Sequence, residues 1–138
     1  MRRIGIGVWI AAALAVGCRG AVEPPVRTGA EDTARTYFQA LLHRDWPTAY
    51  AALDPRSQAR CGVEQFAVLA QAYRCKFGFE PSAVHIRSCE EQGSQAIAHV
   101  VFTGRAAGHA RFFKDAVTLH RGEACWGVAT PPRFGLPH

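Results

Sequence analysis

The segment that most constrains the fold is residues 34–50, which read ARTYFQALLHRDWPTAY. Apolar side chains recur there at three- and four-residue steps, at Ala34, Tyr37, Phe38, Leu41 and Leu42. This spacing places them on one stripe of a helix. Asp45 can then cap a second helix, whose first turn tolerates Pro47 because no backbone N–H is needed there. The sequence therefore predicts two helices joined by a tight turn, and the rest of the chain must cover the apolar stripe.

The N-terminus has the features of an export signal. Arg2 and Arg3 precede an apolar run over residues 4–16, which is too short to cross a hydrocarbon layer of about 30 Å as a helix. A basic head followed by a short apolar core is typical of a secretory signal. Ala15-Val16-Gly17-Cys18 resembles the lipobox of bacterial lipoproteins; the alternative is an ordinary signal peptide with a chance cysteine.

The lipobox resemblance implies a signal peptide at residues 1–17, a lipidated Cys18 and a Pro-containing tether through residue 30. More than one acyl chain is needed to hold a protein stably on a membrane. We therefore expect an exported protein that is lipid-anchored to the cell envelope on the periplasmic side, in the outer membrane, with the membrane as its first partner.

Size and charge limit the remaining possibilities. The 138 residues suit one domain. Without Arg2 and Arg3 the formal charge falls from +5 to +3, and the basic residues form no block of the kind that binds phosphate backbones. We expect no nucleic-acid partner and no cofactor.

Four cysteines follow Cys18, namely Cys61, Cys75, Cys89 and Cys125. An even number in an exported chain favours two disulfides, whereas the spacings lack the close pairs typical of zinc sites, and no metal is expected. A helix over residues 63–74 would separate Cys61 from Cys75 by roughly 20 Å, far beyond the Cα separation of about 7 Å that a disulfide allows. Each of these two cysteines is therefore predicted to pair with Cys89 or Cys125.

The order of elements predicts an α+β domain. Thr28 and Glu31 fit a capping box before the first helix, and Asp54-Pro55 is expected to end the second. Alternating or β-rich segments then occupy residues 82–89, 96–103, 112–120 and 124–130, and Arg121-Gly122 is expected to be a tight turn. Pro131-Pro132 should end the sheet and leave the tail, residues 131–138, loose. We expect N-terminal helices packed on a curved antiparallel four-stranded sheet.

This pattern resembles the nuclear transport factor 2-like superfamily, which includes ketosteroid isomerases and many small bacterial lipoproteins. The resemblance covers residues 31–130 and is carried by residues 34–41, the turn at 44–46, residues 49–53 and the closing hairpin that ends in Trp126. It implies a cone-shaped domain with a cavity between the helix and the sheet. Members include enzymes and non-catalytic modules, so the fold does not choose the function.

Four residues are candidates for that pocket, namely Tyr37, Asp115, His99 and Trp126. Tyr37 is similar in position to the tyrosine of the isomerase oxyanion hole, although a core aromatic is the plainer interpretation. Asp115 shares a face with Phe113, Val117, Leu119, Ala124, Trp126 and Val128 if the last turn is tight, and a buried carboxylate could act as a base; it could also lie at the rim or pair with an arginine. His99, like His85, could face the cavity, but the register is undetermined.

We therefore predict a non-catalytic binding or assembly module with a pocket for a small apolar ligand, and no catalytic residue is assigned. The alternative is a small-molecule isomerase or dehydratase that uses Tyr37 and Asp115. The isomerase base that follows the second helix has no counterpart here, which weakens that alternative. A homodimer through the open face of the sheet is also expected from the resemblance.

Overall fold

The structure is a computed structural model that describes residues 27–137. The predicted signal peptide, Cys18 and most of the tether lie outside the described residues. Within them, no helix is both long and apolar enough to cross a membrane.

Within residues 27–137, four helices precede four strands. They are α1 (Ala30–Leu42), α2 (Trp46–Ala51), α3 (Pro55–Arg60), α4 (Val63–Cys75), β1 (Pro81–Gln92), β2 (Gln95–Ala106), β3 (His109–Arg121) and β4 (Trp126–Ala129). The strands form one antiparallel sheet in the order β1-β2-β3-β4. The predicted α+β architecture is confirmed.

Helix α1 is the centre of the core. Its apolar stripe, with Tyr37, Phe38 and Leu41 each at most 1 % exposed, lies against the inner face of the sheet. The inward residues of β2 meet it, and the ring of Phe38 contacts that of Phe102 edge-on at 5.8 Å between centroids. Aromatic pairs at this distance and angle add to the apolar burial that holds the layers together.

The start of α1 differs from the prediction. Gly29, with a positive φ of 111°, is the cap residue, and no side chain of the predicted capping box satisfies the first turn. The carboxylate of Glu91 on β1 does so instead: it accepts from the backbone N–H groups of Thr28 and Ala30 at 2.9 and 3.2 Å. Glu31 instead pairs with Arg27 and Arg35. The predicted capping box was wrong because Glu91 accepts from the backbone N–H and from the hydroxyl of Thr28, the two groups that the box required.

Two aspartates organise the next turns. Asp45 accepts from the N–H of Thr48 at 3.3 Å and caps α2, as predicted. Asp54, which we expected to end α2, also begins α3: it is 4 % exposed and accepts from the N–H of Ser57 at 2.8 Å. Pro55 fits the first turn of α3 because that position needs no donor.

Two-residue hairpin loops set the register of β1, β2 and β3. Gln92 pairs with Gln95 around Gly93-Ser94, and Ala106 pairs with His109 around Ala107-Gly108. Ala107 and Gly108 both have positive φ, which matches the twist of a type I′ turn. The strands are longer than predicted because these loops take up only two residues.

The β3–β4 connection is looser than predicted. Arg121 pairs with Trp126, so the loop holds four residues and β4 begins two residues later than expected. Leu119 consequently faces Val128 rather than Ala124. The register moves by an even number of residues, so Trp126 and Val128 keep the expected face, while Ala124 leaves the sheet.

The C-terminal tail is ordered against α4, contrary to the prediction. The ring of Phe134 stacks on Phe66 at 5.8 Å and lies 5.2 Å from Tyr73, between ring centroids. Gly135 has a φ of +69°, and a Cβ there would approach the backbone oxygen of Leu69 to 2.2 Å. Lys76 Nζ donates to the carbonyl of Leu136 at 3.1 Å. We call residues 131–136 the C-terminal strap.

The cysteines do not form the predicted disulfides: all four within the described residues are free thiols. Cys61 and Cys75 lie at opposite ends of α4, as expected. Cys89 lies on β1 and Cys125 in the loop before β4. The even number of cysteines predicted pairing, but it carries no information on where the fold places each thiol.

Candidate functional site

A cavity of about 320 Å³ lies between α1, α4, the inner face of β3 and the C-terminal strap. Its volume is at the lower end of the range for small-molecule pockets. The walls are mostly apolar and aromatic, including Phe38, Tyr73, Phe113, Val117 and Phe134. The lining also includes the polar residues Tyr37 and Asp115.

Tyr37 reaches this cavity from α1 and is 1 % exposed. Burial raises the pKa of its hydroxyl well above the usual value, and the negative charge of Asp115 raises it further. The hydroxyl therefore stays protonated and can donate a hydrogen bond. The buried side-chain atoms that lack a hydrogen-bond partner among residues 27–137 do not include this hydroxyl. The oxygens of Asp115 accept from Tyr73 and Ala116 and not from Tyr37, so the Tyr37 hydroxyl is a donor on the cavity wall that a ligand can meet.

Asp115 is held by a second tyrosine. Tyr73 on α4 donates its hydroxyl proton to Asp115 Oδ2 at 2.7 Å, and the N–H of Ala116 donates to Oδ1 at 2.8 Å. Burial, followed by the charge and hydrogen bond of Asp115, raises the pKa of Tyr73 well above its usual value. Tyr73 thus joins α4 to β3 across the cavity. The sequence analysis allowed Asp115 to pair with an arginine. In the structure its side-chain partner is the hydroxyl of Tyr73.

Lys76 and Arg133 bring positive charge to the mouth of the cavity. Both are exposed and both belong to the lining. Lys76 follows α4 and Arg133 lies in the C-terminal strap. Asp115 is the only acidic residue of the lining as the structure describes it, so the mouth carries more positive than negative charge.

The other two candidates lie elsewhere. His99 is exposed and faces away from the core, between Val100 and Ala98, which are fully buried. Trp126 is 4 % exposed and donates its Nε1 proton to Thr28 Oγ at 2.9 Å. The structure thus brings Tyr37 and Asp115 together but not His99 or Trp126.

Trp126 borders a larger groove of about 730 Å³ between α2, α3 and the β3–β4 loop. This groove is open, and charged residues such as Asp54, Arg56, Arg121 and Glu123 line it. Because positive and negative side chains both occur in this open lining, the groove favours neither an anionic nor a cationic ligand. The smaller, more enclosed cavity around Tyr37 is the better candidate site.

Sequence reasoning missed Tyr73, Lys76, Arg133 and Phe134. Tyr73 lies within the helix predicted over residues 63–74, but helical spacing alone cannot show which hydroxyl meets Asp115. Arg133 and Phe134 follow Pro131-Pro132, which marked the end of the sheet correctly but was taken as the end of the ordered domain. The one available signal was Phe134, an aromatic residue in a segment otherwise expected to be loose.

Comparisons with known proteins identify the fold. No protein-family model and no curated protein matches the chain. Among solved structures, a SEC-C motif containing protein from Rhodopseudomonas palustris has a TM-score of 0.55 at 15 % identity, over 75 % of this chain and 79 % of its own. A ketosteroid isomerase-like protein from Erwinia carotovora atroseptica has a TM-score of 0.51 at 18 % identity, over 72 % and 88 %.

A protein described as a putative NTF2-like (nuclear transport factor 2-like) transpeptidase, from Campylobacter jejuni, also has a TM-score of 0.51, at 16 % identity, over 71 % of this chain and 94 % of its own. At such low identities the likeness shows the fold and not the chemistry. The domain has the nuclear transport factor 2-like α+β cone fold, as the sequence resemblance implied.

Proposed function

We propose that this chain is a lipid-anchored envelope lipoprotein whose cone domain binds a small, largely apolar ligand without chemical conversion. The observation that carries the binding proposal is an aromatic cavity of about 320 Å³ with the protonated hydroxyl of Tyr37 in its lining. Such a cavity can bury an apolar ligand, and a single inner donor can orient it.

The enzymatic alternative is less well supported by the geometry. A general base must reach a substrate proton through an available carboxylate oxygen. Each oxygen of Asp115 accepts one hydrogen bond, from Tyr73 or from the backbone of Ala116, and keeps a second lone pair. The hydrogen bond from Tyr73 gives the carboxylate a structural role, which a binding module explains without proton transfer.

A ligand-dependent thermal unfolding screen of the purified full-length protein tests the binding proposal. Small amphiphiles should raise the unfolding temperature of the native protein, because binding to the folded state alone stabilises it. Tyr37→Phe should reduce the shift for ligands that carry a hydrogen-bond acceptor. The absence of any shift across apolar and amphiphilic compounds would contradict a binding role.

The anchor proposal rests on the sequence at Cys18. Mass spectrometry of the protein purified from its own membranes should find Cys18 as the N-terminal residue with acyl chains attached. A mature chain that begins elsewhere, with a free Cys18 thiol or none, would contradict the anchor and leave the cavity proposal untouched.

The homodimer implied by the resemblance stays a prediction. Sedimentation of the full-length protein should give twice the monomer mass if it forms, and the monomer mass at all concentrations if it does not.

A further inference from the structure

We infer that the cavity takes an amphiphile with an anionic head group, and that Lys76 and Arg133 bind that head while the apolar body lies against the aromatic wall. This inference rests on the proposed binding function and adds the ligand class. It follows from the uneven distribution of charge around an otherwise apolar cavity.

The inner part of the cavity suits an apolar chain or ring. Phe38 is fully buried and Tyr37 nearly so, and both lie on the floor that α1 provides. Phe113 on β3 and Phe134 in the C-terminal strap also line the cavity. Carbon atoms placed there would leave water, at a gain of about 25 cal/mol per Å² of apolar surface removed.

The mouth suits an anion. Arg133 is exposed and makes no side-chain ion pair with residues 27–137, where the ion pairs involve Arg27, Arg35, Arg44 and Arg74. One of the three N–H donors of the Lys76 ammonium group binds the carbonyl of Leu136, and the other two can bind an anion. Because these side chains come from α4 and from the strap packed on it, they can approach one head group from two sides.

Asp115 opposes an anion but does not outweigh the two cations. Its oxygens accept hydrogen bonds from Tyr73 and Ala116, which already satisfy part of its charge. A cationic ligand would have the opposite preference: it would seek Asp115 and the aromatic faces and would be repelled by Lys76 and Arg133. The charge count favours the anion.

Calorimetric titration of the full-length protein with three ligands of one chain length tests the inference. The ligands are octanoate, 1-octanol and octyltrimethylammonium. Octanoate should bind most tightly and octyltrimethylammonium least. Raising the salt concentration should weaken octanoate binding to the native protein and leave 1-octanol unchanged, because salt screens solvent-accessible charges.

Variants locate the effect. The double variant Lys76→Gln/Arg133→Gln should weaken octanoate about tenfold, as expected for two solvent-accessible ion pairs, and 1-octanol by less than about twofold. The matched control is Arg87→Gln, an exposed arginine of β1 at the other edge of the sheet, which should change neither affinity.

Two results would overturn the inference in different ways. Equal binding of octanoate and 1-octanol, or tighter binding of octyltrimethylammonium, would refute the anionic head and leave the proposed binding function standing. No binding of any of the three ligands to the folded native protein would refute both.

Discussion

The role of several single residues in this domain depends on a hydrogen-bond partner that lies far away in the sequence. Tyr37 and Tyr73 are chemically identical and lie in the same cavity, yet only Tyr73 donates to Asp115. The carboxylate of Glu91 likewise caps a helix that lies about 60 residues earlier in the chain, at Thr28 and Ala30. The role of each side chain is set by which group the fold places next to it.

The two tyrosines should therefore differ in a matched pair of variants. Tyr73→Phe should lower the free energy of unfolding by about 1–2 kcal/mol, because it removes a hydrogen bond to a charged acceptor. Tyr37→Phe should change stability by less than about 0.5 kcal/mol, since its hydroxyl makes no hydrogen bond to Asp115. Urea unfolding followed by circular dichroism measures both, and equal effects would show that Asp115 does not distinguish between them.

The contact of Glu91 with the start of α1 should make the stability of the protein depend on pH. Burial alone would raise its pKa, but the hydrogen bonds from Thr28 and Ala30 outweigh burial and hold the pKa below the usual 4.5. A lowered carboxylate pKa contributes stability above the unfolded-state value, and that stability is lost as pH falls through the folded-state pKa. Glu91→Gln should therefore be less stable than the native protein near neutral pH, and the gap should close in acid.

The control for that experiment is Glu90→Gln, the exposed neighbour on the opposite face of β1. Its stability should follow that of the native protein at every pH. A constant gap between Glu91→Gln and the native protein down to low pH would contradict the capping role of Glu91.

The free thiols give a direct chemical prediction. Cys75 and Cys125 are exposed and should react first with a thiol reagent. Cys89 should react more slowly, because burial and then the charges of Glu31 and Glu91 raise its pKa and lower the fraction of reactive thiolate. Peptide mapping after alkylation without reductant should label all four cysteines, and a disulfide-linked peptide pair would contradict this structure.

Whole elements were predicted more reliably than their ends. The apolar stripe of α1, the Asp45 turn and α4 could be derived from spacing, because local periodicity reflects the buried face. The hairpin loops Gly93-Ser94 and Ala107-Gly108 also lie in the gaps between the predicted strands. The β3–β4 loop and the C-terminal strap could not be derived, because tertiary contacts decide them and no short motif encodes those contacts.

The strap makes a stability prediction. Phe134→Ala should lower the free energy of unfolding by about 2 kcal/mol, since it removes apolar burial and the ring contacts with Phe66 and Tyr73. Leu136→Ala is the control: Leu136 is 43 % exposed, so its truncation should cost less than about 0.5 kcal/mol. Equal, small losses in urea unfolding would mean that the strap is not packed on α4.

Residues 27–137 form a domain in which a curved sheet covers α1 and the C-terminal strap packs on α4. The sequence predicted the fold class and two of the residues that share the cavity, Tyr37 and Asp115. It did not predict the wall and the mouth, because Tyr73, Lys76 and Arg133 come from elements whose packing only the folded chain reveals. The positively charged mouth, on which the proposed ligand class depends, is thus the part of the site that the sequence pattern did not predict.

The central claim, that an amphiphile lies in the cavity between α1 and the strap, is tested most directly by intermolecular NMR contacts between octanoate and the isotopically labelled protein. We predict contacts from the octanoate methyl group to the rings of Tyr37 and Phe113, and from its head-proximal protons to Arg133. Contacts confined to the open groove beside Trp126, or no contacts with the rings of Tyr37 and Phe113, would contradict it.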